Sequence, residues 1–154
     1  MRIFIRGSGR YSNKPYLEEV LSKIHSMTAI TVVDVNSEHR SDTALLAGEW
    51  AINNGATLSN GTAKLSNRRI GLANSVELSI TAFKPDIVLI FQAGDLSHAS
   101  SSEARVAAEI SEILKIKLLV AKDPLPLDRK YVIDDISEAV SDFYRARSIR
   151  NFYR

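Results

Sequence analysis

Four short stretches of this sequence place charged or small polar side chains where a small molecule can meet them. "FQAGDLSHASSSEA" (Phe91 to Ala104) joins an apolar run to a helix-patterned segment and carries Gly94, Asp95, His98, Ser101, Ser102 and Glu103. Ser100 and Glu103 have capping-box spacing, in which the serine caps a helix start and the glutamate reaches back to it. The other reading of Glu103 is a carboxylate at a cleft mouth. There it can accept a hydrogen bond from a ribose hydroxyl or stabilise the oxocarbenium-like state of glycosidic cleavage. "NRRI" (Asn67 to Ile70) opens a second helix-patterned stretch with Arg68 and Arg69. Helix neighbours point about 100° apart, so one guanidinium can reach a cleft and fork onto phosphate while the other stays solvated. "GSGRYS" (Gly7 to Ser12) follows an alternating apolar segment, and its two glycines suit a close approach of backbone N–H groups to a phosphate. It lacks the third glycine of the dinucleotide fingerprint. "NSEHRSD" (Asn36 to Asp42) also precedes a helix, and offers Ser37, Arg40, Ser41 and Asp42 but no glycine. A helix start attracts anions through unpaired N–H groups and the positive end of its dipole.

Composition removes several classes of chemistry. The chain has no cysteine, which excludes disulfides and thiolate nucleophiles, and its three histidines (His25, His39, His98) lack zinc spacing. Neither a metal nor a cofactor is expected. The longest aliphatic or aromatic run, Ile87 to Phe91, falls far short of the ~20 residues of a membrane helix, and "MRIFIR" is too short and charged for a signal peptide. A soluble, unsecreted, cytoplasmic protein with no membrane partner is expected.

The elements that must position these residues alternate. "RIFIR" (Arg2 to Arg6) reads as a strand, and Pro15 suits the first turn of a helix whose Tyr16, Leu17, Val20, Leu21 and Ile24 make one apolar stripe. "AITVVDV" (Ala29 to Val35) is a second strand, followed by a helix on which Leu45, Leu46, Trp50 and Ile52 mark a core side. "ATLS" suits a short strand, and Asn67 to Phe83 one helix running through Gly71. "DIVLIF" (Asp86 to Phe91) is a continuous apolar run, as in a strand covered on both faces. Ser100 to Leu114 reads as a helix, Ile116 to Val120 as a strand, and Ile133 to Arg147 as a last helix. The expected class is therefore α/β: a Rossmann-like three-layer sandwich with a mainly parallel sheet of four or five strands. Arg2 to Arg6 and Asp86 to Phe91 should be adjacent at its centre. Ligands of such sheets bind beyond the carboxyl ends of the strands, where strand order reverses.

In order and spacing these pieces resemble the SLOG superfamily, named from the Smf/DprA and Lonely Guy proteins, and most of all its small YspA-like branch. The resemblance rests on "GSGRYS", "NSEHRSDTALLAGEWAINNG", "NRRIGLA", "KPDIVLIF" and "AGDLSHASSSEA", and covers about Arg2 to Val120. It implies a nucleotide or nucleotide-derived ligand held by Gly7, Ser8, Arg10, the Asn36 to Asp42 loop, Arg69 and the Gly94 to Ser102 loop. The sequence departs from the family pattern at Asn36 and Ser37, which stand where relatives have two glycines, and at Ala93-Gly94, where a Gly-Gly pair is expected. Side chains with a Cβ obstruct close backbone approach to an anion.

Residues 1–122 are expected to form this nucleotide-binding unit, and 123–154 a C-terminal helix and tail. The tail from Phe143 to Arg154 holds four of the 20 basic residues and none of the 18 acids, so the body is slightly acidic. Three functions follow, in order: a sensor or binding module for a nucleotide-like small molecule; a hydrolase of the N-glycosidic bond of nucleoside 5′-monophosphates with Glu103 as catalytic carboxylate; and a single-stranded nucleic-acid binder using the aromatic and basic tail. A homo-oligomer is expected, with the tail docked on the acidic body of a second subunit.

Overall fold

A computed structural model describes residues 1–7, 11, 13–35, 41–59, 71–92 and 102–123. Five parallel strands form one sheet in the order β3-β2-β1-β4-β5: β1 Arg2–Gly7, β2 Val32–Asp34, β3 Thr57–Leu58, β4 Ile87–Gln92 and β5 Lys117–Lys122. The described helices are α1 Lys14–Met27, α2 Asp42–Asn53, α3 Leu72–Phe83 and α4 Ser102–Ile113. The chain is thus an α/β, Rossmann-like sandwich. The two apolar runs lie side by side at its centre, with Ile3 opposite Ile87 and Gly7 opposite Phe91 in parallel register.

Alternation along the strands divides the core into two layers. Ile3, Ile5, Ile87, Leu89 and Phe91 pack against α1 and α2, whereas Phe4, Val88 and Ile90 pack against α3 and α4. The expected stripe of α1 is buried in full, from Tyr16 to Ile24. Each such side chain contributes about 1.5–3 kcal/mol before its ordering entropy is subtracted. Asn13 caps this helix by accepting a hydrogen bond from the Tyr16 N–H, and Pro15 stands in its first turn.

Two sequence expectations are corrected. On α2 the core face is Thr43, Ala47, Gly48, Trp50 and Ala51, while Leu45 and Ile52 are exposed, at 52% and 67%. Small residues let this helix lie close to the sheet, and the bulky aliphatics are turned away. Leu46 is only partly buried against the core. The stretch from Asn67 to Phe83 is also not one helix. Gly71 has φ 77 and ψ 158 and stands as the cap before α3, a conformation that L side chains rarely adopt. The last helix and tail, with most of the 123–154 segment, lie outside the described residues. Among the described residues no helix is long and apolar enough to cross a membrane.

Candidate functional site

Crossovers from β1 to β2 to β3 run over the α1 and α2 face, and those leading to β4 and β5 over the other. The helices that follow β1 and β4 therefore lie on opposite faces, and in sheets of this kind a ligand crevice is expected beyond the carboxyl ends of such a strand pair. Gly7 and Gln92 end these two strands. Polar side chains gather on each face of this edge.

On the α3 and α4 face the centre is Arg6. Its place in the alternation of β1 puts it on the side of Phe4, and its guanidinium carbon lies 3.8 Å from the Phe4 ring centroid. Nε donates to Glu103 Oε1 at 2.8 Å, and Nη2 pairs with Asp34 Oδ1 at 3.1 Å. Nη1 donates to the carbonyl oxygens of Ile5 and Asp34 at 2.8 and 3.1 Å. All three charged residues are buried. Three elements supply them: the end of β1, the end of β2, and the first turn of α4, where an acid also suits the helix dipole. Buried charges persist only when paired and hydrogen-bonded, and here one guanidinium serves two carboxylates.

Arg2, at the other end of β1, forms a contrast. Its side chain binds the Phe83 carbonyl and its N–H binds Asp86, which ties the turn between α3 and β4 at the edge remote from the crevice.

Gly7 is required by packing. A Cβ there would lie 2.5 Å from Thr43 Oγ1 and 2.7 Å from the Phe91 carbonyl oxygen, so α2 and β4 approach β1 only because the position has no side chain. Thr43 is fully buried beneath it. At the start of α2 the Ser41 hydroxyl accepts from the Ala44 N–H at 3.4 Å, and exposed Asp42 stands in the first turn. This helix start brings its own cap and its own negative charge, both of which compete with an incoming anion.

On the α1 face Tyr11 is buried with its ring 5.7 Å from that of Phe91, and its hydroxyl donates to Asp123 Oδ1 at 2.7 Å. Asp123, just past β5, is anchored by its N–H on the Gln92 carbonyl. Tyr16 in the first turn of α1 is buried too, and among the described residues its hydroxyl has no hydrogen-bond partner. Burial holds the ionisation of both phenols above its ordinary range, and the Asp123 charge pushes both the same way.

Of the residues singled out from sequence, the structure brings Gly7 and Glu103 to the crevice edge and sets Ser41 and Asp42 at the start of α2. The backbone of Ser102 opens α4. Ser8, Arg10, Ser37, Arg40, Arg68, Arg69, Gly94, Asp95, Ser101 and the histidines at 39 and 98 lie outside the described residues. The capping box is likewise not described, because Ser100 is outside them, and the Glu103 carboxylate is bonded to Arg6. Sequence reasoning missed Arg6, Asp34, Tyr11, Tyr16 and Asp123. The signal for the first two was a charge directly after the apolar residues of each of two strands, "RIFIR" and "VVD". Among the described residues no group of three or more histidines and acids is placed to hold a metal ion. Comparison with protein-family models, curated proteins and solved structures found no match to this chain.

Proposed function

We propose that this protein binds a nucleotide or nucleotide-derived small molecule in the crevice beyond β1 and β4, as a sensor or binding module. The observation that carries this reading is the reversal of strand order at β1 and β4, because ligands of doubly wound sheets bind beyond the strand ends at such a point. The resemblance to the SLOG superfamily supports the same ligand class. In this reading phosphate falls to the arginine pair, and of the two Arg69 is the one that the resemblance implies as its holder. Calorimetric titration with AMP tests this. Arg69→Ala should weaken binding by about 2 kcal/mol, or roughly 30-fold, and Arg68→Ala should change it little. Equal small effects would remove the arginine pair from the site, and no AMP binding by the unaltered protein would overturn the reading.

One observation favours a second reading, cleavage of the N-glycosidic bond of a nucleoside 5′-monophosphate. Glu103 is a buried carboxylate fixed by Arg6 in the first turn of α4, at the crevice edge. A carboxylate so held can face the positive charge that develops on the sugar as water replaces the base. Asp95 or His98 would assist. Release of adenine and ribose 5-phosphate from AMP, lost in Glu103→Gln with folding intact, would establish it.

A further inference from the structure

We infer that the α1 side of the crevice is a subsite for a vicinal diol, the two ribose hydroxyls of a nucleotide, with Asp123 as acceptor and Tyr16 as donor. The inference rests on the nucleotide reading and adds to it the residues that recognise the sugar. The Tyr16 hydroxyl is the first observation. A buried phenol usually has a partner, since leaving it unpaired forfeits its hydration for nothing in return, and this one has none among the described residues. Tyr16 belongs to the first turn of α1, the helix that follows the carboxyl end of β1.

The second observation is Asp123. Only Oδ1 of its carboxylate is used, by Tyr11, and among the described residues Oδ2 accepts no hydrogen bond. Asp123 is half-buried, and its N–H fixes it to Gln92 at the end of β4, one of the two strands that flank the crevice. A carboxylate with two oxygens side by side matches two adjacent hydroxyls, each donating one proton. One ligand hydroxyl takes Oδ2, the other replaces Tyr11 on Oδ1, and Tyr16 donates to an oxygen of the diol. The carboxylates on the opposite face are committed elsewhere. Asp34 and Glu103 both bind the Arg6 guanidinium, so the acid at the end of β2 is not presented to a ribose as it is in dinucleotide-binding sheets.

Full-length protein is titrated with AMP and with 2′,3′-dideoxy-AMP, which differ only in the diol. The unaltered protein should bind AMP about tenfold or more tightly, because a site built for hydroxyls is left unpaired by the analogue. Tyr16→Phe and Asp123→Asn should each bring that ratio close to one. Tyr16→Phe removes an unpartnered hydroxyl, so its melting temperature without nucleotide should be unchanged or higher, which separates a binding defect from a folding defect. Equal affinity of the unaltered protein for both nucleotides overturns the diol subsite and leaves the nucleotide reading standing. An undiminished ratio in both variants overturns the assignment to Tyr16 and Asp123. Failure to bind either nucleotide overturns both readings.

Discussion

Arg6 is the residue on which the carboxyl-end edge depends. Replacing it with methionine keeps much of its volume and its contact with Phe4 but takes the shared guanidinium away from the buried carboxylates of Asp34 and Glu103. Removing one member of a buried pair typically costs about 3–5 kcal/mol, so Arg6→Met should lower the urea midpoint substantially. A loss under about 1 kcal/mol would mean that the cluster contributes little. Glu103→Gln keeps an oxygen for the Arg6 Nε and should cost less, about 1–3 kcal/mol. A test of its chemistry therefore needs a folding control. Gly7→Ala should be destabilising by about 1–3 kcal/mol, since the new methyl meets both Thr43 and the Phe91 carbonyl. The two buried phenols set a pH dependence. Their folded ionisation is raised above the ordinary value of 10.0, so the unfolded chain loses protons first as pH rises. Stability should be intact below about pH 9 and fall above about pH 10, more gently in Tyr16→Phe. A flat profile up to pH 11 would contradict their burial.

At the scale of elements, the sequence was most legible where one periodicity had one explanation. The α1 stripe repeats at helical spacing and is buried as read, because large aliphatic side chains there have a single sheet face to cover. On α2 the same rule misled. Hydrophobicity marked Leu45 and Ile52, but the helix is placed by Ala47, Gly48 and Ala51, whose small size permits close approach to β1 and is invisible to a search for bulky residues. Leu45→Lys and Ile52→Lys should therefore shift stability by no more than about 0.5 kcal/mol, whereas Ala47→Leu should cost about 1–3 kcal/mol by overpacking. Gly71 was read as a tolerated helix interior because sequence shows a glycine's presence and not its φ. At φ 77 it admits a Cβ only with strain, so Gly71→Ala should lower stability by about 1 kcal/mol although the space around it is open. Thermal melting of these variants checks both statements.

At the scale of the whole molecule, the central pair of strands followed from apolar continuity and from the usual strand order of doubly wound folds, and β1 lies parallel beside β4. The charged cluster did not follow. Arg6, Asp34 and Glu103 come from the ends of three separate elements and meet only once the register of β1, β2 and β4 is fixed. The tail from Phe143 to Arg154 belongs to this scale too, as a basic segment on a slightly acidic body. We propose that it docks on a second subunit, so truncation after Asp142 should reduce the assembly size seen by light scattering while the core stays folded. If size is unchanged and salt-dependent binding of single-stranded oligonucleotides is lost instead, the tail is a nucleic-acid surface. The central claim, a nucleotide in the crevice, is tested most directly by following backbone amide resonances during titration with AMP. Shifts should concentrate at Gly7 and Gln92, in the first turns of α1, α2 and α4, and at Asp123. Shifts centred instead on the opposite edge, at Arg2, Ala29 and Asp86, would contradict it.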